Sequence, residues 1–154
     1  MYEIEAVELA EQSTAVIRDK VAAEELPNWM PGAFSEVGGF LAQAGIEPTG
    51  PPFARYLRED GVFEVEAGFP VGSPVIGEGR VEPSWLPAGP AITALHSGPY
   101  ETLPGTIRAL EDWIEGHGHE EAGAYWEVYL TNPNQEPDVS EWHTKVVMPY
   151  TPGI

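Results

Sequence analysis

The sequence predicts an α+β fold in which two β-α-β-β units form an antiparallel sheet, with two helices on one face and a groove between them. Three observations lead to this fold class: an internal repeat, two stretches with helical spacing of apolar residues, and short strand-like runs around them. They predict one domain over residues 1–154, built of two pseudo-repeats at about 1–72 and 73–154.

The internal repeat is anchored by two Pro-Gly motifs, at residues 30–32 and 103–105, which lie 73 positions apart. Near the end of each copy the offset becomes 79, because residues 69–71 match residues 148–150 after a longer loop. One offset that holds through a helix and a strand indicates a duplicated unit. The offset of 73 relates three pairs that matter below: Phe40 and Trp113, Ala54 and Glu127, and Tyr56 and Tyr129.

Each copy can be divided into elements by its periodicity. The first copy has apolar residues at helical spacing in 28–44, followed by Gly45, a common helix stop. The second has a similar stripe in 101–117, followed by Gly118. The Pro-Gly motifs near both helix starts are expected to delay each start by a few residues. The predicted strands are residues 3–9, 15–21, 53–57, 63–69, 79–85, 91–96, 125–130 and 144–148.

The composition excludes some classes of function. The chain has 25 acidic and seven basic residues, a net charge of −18, and the bases are scattered. Direct nucleic-acid binding is therefore not expected, since it needs clustered Lys and Arg. An acidic surface suits cationic small molecules, and solubility is the alternative explanation. No Cys, apolar span or leader peptide is present, so a cytoplasmic protein without membrane contact is expected.

The strand at residues 125–130, Tyr-Trp-Glu-Val-Tyr-Leu, carries a carboxylate at its centre. Strand alternation places Tyr125, Glu127 and Tyr129 on one face. A buried carboxylate needs a partner, and aromatic faces attract cations. The sequence therefore predicts a pocket for aromatic or cationic ligands, with Glu127 as anchor and Tyr129 and Tyr56 as walls. The alternative is that Glu127 forms a salt bridge with a base such as Arg55 or Lys145.

Further aromatic residues are candidates for the same pocket. Tyr100 follows a Gly-Pro turn and is expected at the groove mouth. Trp113 and Phe40 are equivalent positions near the helix ends, where a core role is the alternative. Trp29, Trp85 and Trp142 lie near predicted loops, and the sequence does not rank them, although Trp85 is retained as a candidate. The His-Gly-His-Glu-Glu run at 117–121 lacks a partner ligand, so neither a metal nor a cofactor is expected.

Several of these motifs together resemble the GyrI-like small-molecule-binding domain, the effector-binding module of AraC- and MerR-type multidrug regulators. The resemblance rests on His-Ser-Gly-Pro-Tyr-Glu at 96–101, Trp113-Ile114, Trp-Glu-Val-Tyr-Leu at 126–130 and Met148-Pro149. It implies the duplicated fold with its groove. It also implies that Glu127 and Tyr129 lie against aromatic cationic ligands. Without a helix-turn-helix, the chain resembles the stand-alone members.

Three functions follow from this resemblance. The first is binding of lipophilic aromatic or cationic molecules, as in drug sequestration. The second is hydrolysis of cyclopropane-bearing DNA-alkylating compounds, with Glu127 activating water and Tyr129 or Tyr56 donating a proton. The third is a protein-interaction module that inhibits a partner such as DNA gyrase. The sequence leaves the natural ligand and the oligomeric state open.

Overall fold

The computed structural model describes residues 3–60, 62–132 and 135–153. Within these ranges it contains two α-helices and nine β-strands, and the strand pairs are antiparallel, which confirms the α+β class. The helices are α1 (Leu26–Ala44) and α2 (Leu103–Gly116). The strands are β1 (Ile4–Leu9), β2 (Gln12–Ala22), β3 (Phe53–Asp60), β4 (Val62–Pro70), β5 (Glu82–Leu86), β6 (Gly89–Ser97), β7 (Glu120–Glu121), β8 (Trp126–Tyr129) and β9 (His143–Thr151).

The chain forms two compact units, and their limits differ from those of the predicted repeats. One, the continuous unit, is Ala10–Ala88; the other, the split unit, joins β1 to the chain from Gly89 onward. Strand β1 pairs along its whole length with β6, from Ile4 opposite Ala94 to Leu9 opposite Gly89. The predicted repeats are defined by sequence position, whereas the two compact units are defined by which strands pair. Strand β1 lies in the first predicted repeat but pairs with β6, which lies in the second, so β1 belongs to the split unit.

In the split unit the strand order is β1-β6-β9-β8, and the short β7 pairs with the end of β9. Helix α2 covers one sheet face through a core that includes Leu110, Ile114 and Met148. Burying each such side chain stabilises a fold by roughly 1.5–3 kcal/mol. Glu127 lies on this same face of the sheet, the face that α2 covers.

In the continuous unit the strand order is β3-β4-β2-β5. Helix α1 packs with Val37 and Leu41 against a sheet face that includes Ile17 and Ala67. Gly68, on the central strand β4, permits a close approach, since an added Cβ would lie 1.9 Å from the carbonyl oxygen of Ala15. Each unit therefore has its own helix and its own core.

The Pro-Gly motifs affect the two helices differently. Helix α1 begins at Leu26, so Pro31 lies inside it and the expected delay of this start is wrong. The missing N–H of Pro31 is tolerated because the following turns bury Ala33, Val37 and Leu41. Helix α2 begins at Leu103 after a 3₁₀ turn at Tyr100–Thr102, which fits the expectation for the second copy.

The predicted end of α1 at Gly45 is confirmed by its geometry. Gly45 has a φ of +72°, and the Ile46 N–H donates to the Leu41 carbonyl at 2.9 Å. Helix α2 ends at Gly116, and Gly118 has a φ of +71° just beyond it. The strand predicted at 79–85 begins only at Glu82, because Glu78 and Val81 close a tight turn first.

A buried acidic residue, Glu66, stabilises the continuous unit. It is 1 % exposed and lies opposite Arg18 on β2 and Arg55 on β3. Arg18 Nε donates to Glu66 Oε2 at 3.1 Å, and Ser84 Oγ donates to the same carboxylate at 3.2 Å. The hydrogen bond to Glu66 raises the pKa of the Arg18 guanidinium above its usual value. Burial of Glu66 is thus compensated by charge-assisted hydrogen bonds.

We predict that Glu66→Gln lowers the free energy of unfolding by roughly 1.5–3 kcal/mol, because it removes the charge that both donors face. Chemical denaturation followed by circular dichroism measures this change. The matched control is Glu36→Gln, whose exposed carboxylate pairs with Arg80 at 2.8 Å and should matter much less. Equal losses in the two variants would contradict the account of Glu66.

Candidate functional site

Strand β8 directs two candidate residues toward the side of its sheet that α2 covers. Glu127 lies opposite Val146 of β9, and Val146 lies opposite Ala94 of β6. Both Val146 and Ala94 belong to the core under α2. Because side chains two residues apart in a strand share a face, Tyr129 points to the same side as Glu127.

The carboxylate of Glu127 is buried and accepts a hydrogen bond from its neighbour on the strand. Glu127 is 5 % exposed, and Tyr129 Oη donates to its Oε1 at 2.7 Å. A phenol that donates to a carboxylate over so short a distance forms one of the stronger hydrogen bonds of proteins. This bond compensates part of the cost of burying Glu127 and fixes the Tyr129 ring beside it.

Two further rings extend from Tyr129. The ring centroids of Tyr100 and Tyr129 lie 5.8 Å apart with an interplanar angle of 70°, and those of Tyr100 and Trp142 lie 5.1 Å apart at 34°. Trp142 is held in place by its indole N–H, which donates to the carbonyl of Glu136 at 2.9 Å. We call Tyr100, Tyr129 and Trp142 the aromatic wall. The sequence did not rank Trp142, since no periodic pattern covers its loop.

Tyr100 responds electrostatically to Glu127. Partial burial raises the pKa of the Tyr100 phenol, and the negative charge of Glu127 raises this pKa further. The wall and the carboxylate therefore form one site. Its chemistry is a desolvated negative charge next to electron-rich ring faces, and each such face attracts a cation by roughly 0.5–2 kcal/mol.

The alternative role of Glu127, a salt bridge to Lys145, is not compatible with the sheet register. Lys145 lies opposite Val128, so its side chain leaves the other face of the sheet, where it is exposed. Arg55, the other named base, lies opposite Glu66 in the continuous unit. Tyr129 is the partner that the structure assigns to Glu127 Oε1.

Trp113 lies in a different part of the split unit. It stacks on His117 with ring centroids 3.9 Å apart and meets His119 at 5.9 Å and Tyr150 at 5.7 Å. Tyr150 is four residues along β9 from Val146, a distance of about 13 Å. Trp113 therefore belongs to a second aromatic cluster, and its predicted contact with a ligand at Glu127 stays a prediction.

Three predicted residues belong to the continuous unit. Tyr56 packs edge-to-face on Phe63 with ring centroids 5.8 Å apart. Phe40 lines a surface cavity of about 510 Å³ together with Ile46 and Val75. Trp85 lies on β5 and is 59 % exposed. Their roles as ligand contacts remain predictions.

The described ranges hold no cluster of three or more His, Asp or Glu residues arranged to bind a metal ion. In the 117–121 run, His117 Nδ1 donates to the Trp113 carbonyl and His119 Nδ1 accepts from the Gly153 N–H. No helix within the same ranges has the length and apolarity needed to cross a membrane.

Comparison with known proteins identifies the family. The family model described as "GyrI-like small molecule binding domain" matches residues 2–151. The chain therefore belongs to the GyrI-like family, as its motifs indicated. A comparison with curated proteins found no match.

Solved structures share the fold. The EcmrR C-terminal domain superimposes with a TM-score of 0.86 at 23 % identity, covering 99 % of each chain. In the EcmrR–DNA complex the TM-score is 0.85, and the present chain spans 58 % of the EcmrR chain. A hydrolase encoded by lin2189 from Listeria innocua has a TM-score of 0.65 at 12 % identity, covering 97 % of this chain and 92 % of its own. SAV2435 bound to tetraphenylphosphonium has a TM-score of 0.61 at 10 % identity, covering 97 % and 94 %.

The electrostatic link between Tyr100 and Glu127 gives a prediction. Glu127→Gln keeps an oxygen that accepts from Tyr129 but removes the charge, so the pKa of Tyr100 should fall toward its usual value. Titration of ¹³Cζ-labelled tyrosine by NMR measures this pKa. The control is Glu101→Gln, which removes an exposed carboxylate adjacent in sequence and should have less effect. An unchanged pKa of Tyr100 in Glu127→Gln would disprove the link.

Proposed function

We propose that this protein binds lipophilic organic cations with aromatic groups, at Glu127 and the aromatic wall, and so sequesters drugs or toxins. The observation that carries the proposal is the buried Glu127 carboxylate, which accepts from Tyr129 beside rings that a planar ligand can contact. Membership of a small-molecule-binding family supports it.

The electrostatics favour a cation over a neutral ligand. The carboxylate of Glu127 carries a negative charge that attracts a cation but not a neutral molecule. At 4 Å and the effective dielectric of a protein surface, its attraction to a unit positive charge is about 4 kcal/mol, from which the ligand's desolvation must be subtracted. The net charge of −18 also raises the local concentration of cations.

The shape of the site favours aromatic ligands. Tyr100 and Trp142 lie at 34° to each other, and Tyr129 meets Tyr100 at 70°, so the site combines ring planes at different angles. Tyr and Trp provide large contact areas at little cost in side-chain entropy. The neighbour SAV2435, bound to tetraphenylphosphonium, supports the choice of that cation as a probe.

The test compares a cation with a neutral molecule of similar shape. Calorimetric titration with tetraphenylphosphonium should show binding that Glu127→Gln weakens about 10- to 100-fold, the part of the Coulomb attraction that survives desolvation. Binding of neutral triphenylphosphine oxide should change little, because the variant keeps the shape of the site.

Glu101→Gln is the matched control, since it removes one negative charge from the exposed surface near Tyr100. It should weaken cation binding only slightly, and less so at high salt. If both variants lose the same cation affinity, the effect comes from net charge and the anchor role of Glu127 is wrong.

A second function, hydrolysis, is favoured by the short Tyr129–Glu127 hydrogen bond, which pairs a proton donor with a base. Here Glu127 would take a proton from water as the water oxygen attacks a cyclopropane carbon. The ring C–C bond would break, Tyr129 would protonate the carbon that leaves, and the proton on Glu127 would return to Tyr129 through their hydrogen bond. The Listeria innocua neighbour named as a hydrolase supports testing this reaction.

Incubation with a cyclopropane-bearing alkylating compound, followed by mass spectrometry, tests hydrolysis. If the protein is a hydrolase, the wild type forms a product heavier by one water molecule, and Glu127→Gln and Tyr129→Phe do not. Binding of the compound without any water adduct would eliminate the hydrolase and leave sequestration.

A further inference from the structure

His96 is a buried side chain that does not belong to the aromatic wall. It lies on β6 and is 3 % exposed. One ring nitrogen contacts the turn that leads into α2, and the other contacts Thr106 within α2. Nδ1 lies 2.8 Å from Thr106 Oγ1, while Nε2 lies 2.9 Å from Thr102 Oγ1 and 3.1 Å from the Pro99 carbonyl oxygen. The histidine thus binds the turn on both sides of Tyr100.

The hydrogen-bond pattern assigns the protons of this network. Thr102 has one hydroxyl hydrogen, which it donates to the Pro99 carbonyl at 2.8 Å. Its oxygen is therefore an acceptor toward His96, and Nε2 carries the ring hydrogen. In neutral His96, Nδ1 then accepts from the Thr106 hydroxyl. The Nε2–H is shared between the Thr102 oxygen and the Pro99 carbonyl, and each hydroxyl hydrogen has one acceptor, so the network holds the turn to His96.

The same turn is attached to the aromatic wall by a second contact. Gly98 has a φ of +118°, and its N–H donates to the Trp142 carbonyl at 2.8 Å. The turn is therefore held to the strand by His96 and to the loop of Trp142 by Gly98. Tyr100, which lies between Pro99 and Thr102, depends on both attachments for the placement of its ring.

We propose that His96 is a positioning residue: through its Nε2–H bonds to Thr102 and Pro99 it holds the Tyr100 ring against Tyr129 and Trp142. This inference rests on the proposed function for its effect on ligand binding, but the position of the ring can be measured without ligand. The alternative is that His96 only stabilises the fold, in which case ring position and affinity do not depend on which nitrogen keeps its partner.

Two variants of His96 distinguish the roles of its two ring nitrogens. His96→Gln keeps an amide N–H near the place of Nε2, whereas His96→Leu keeps neither bond. We expect His96→Leu to lose the nuclear Overhauser contacts between Tyr100 and Trp142 in the free protein and to bind tetraphenylphosphonium about tenfold more weakly. His96→Gln should retain those contacts and bind within about threefold of wild type.

Thr106→Val and Thr102→Val are matched variants of the two threonines that form hydrogen bonds with His96. Thr106→Val removes the buried partner of Nδ1 and should leave the Tyr100 contacts and the affinity unchanged, even if stability falls. Thr102→Val alters an exposed residue and removes one of the two acceptors of the Nε2–H. It should therefore weaken the Tyr100–Trp142 contacts and the affinity in the same direction as His96→Leu, and it provides a test if His96→Leu does not fold.

The outcomes are distinguishable. If His96→Leu or Thr102→Val keeps the Tyr100–Trp142 contacts, or if ring displacement follows loss of stability across all four variants, the positioning role is overturned. If wild type does not bind tetraphenylphosphonium, the proposed function fails, while the contacts in the free protein still decide the role of His96.

Discussion

The buried hydrogen bond from Tyr129 to Glu127 is the constraint on which the candidate site depends. A carboxylate that is 5 % exposed is costly unless it is bonded, and the residue two positions along the strand supplies the donor at 2.7 Å. The same bond orients the Tyr129 ring, against which Tyr100 packs, and Tyr100 in turn meets Trp142. One strand thus provides both the charge and the start of the aromatic wall.

The predicted repeat pairs positions that carry different chemistry. Ala54, the counterpart of Glu127, lies opposite Ala67 in the core under α1, so the continuous unit has a methyl group where the split unit has a carboxylate. The buried acid of the continuous unit is Glu66, and it is bonded to Arg18 and Ser84. That acid is bonded to a guanidinium, whereas Glu127 accepts a hydrogen bond from a phenol.

Local patterns predict the parts of the structure that depend on local periodicity. The helices, most strands and the shared face of Glu127 and Tyr129 follow from periods of 3.6 and two residues. The pairing of β1 with β6 depends on a contact between distant segments, and the motif spacing gave no sign of it. The sequence identifies Trp142 only as a loop aromatic, because its approach to Tyr100 depends on the hydrogen bond from the Gly98 N–H to the Trp142 carbonyl, which no local pattern predicts. The predicted role of Tyr56 as a wall of the same pocket as Tyr129 stays a prediction.

The most direct test of the central claim is where a cation binds. Intermolecular nuclear Overhauser effects between tetraphenylphosphonium and the protein, measured with selectively labelled Tyr and Trp, locate the ligand rings. The account predicts contacts with Tyr100, Tyr129 and Trp142, and their loss in Glu127→Gln. Contacts confined to another place, such as the cavity of about 510 Å³ beside Phe40, would contradict the assignment of Glu127 as the anchor.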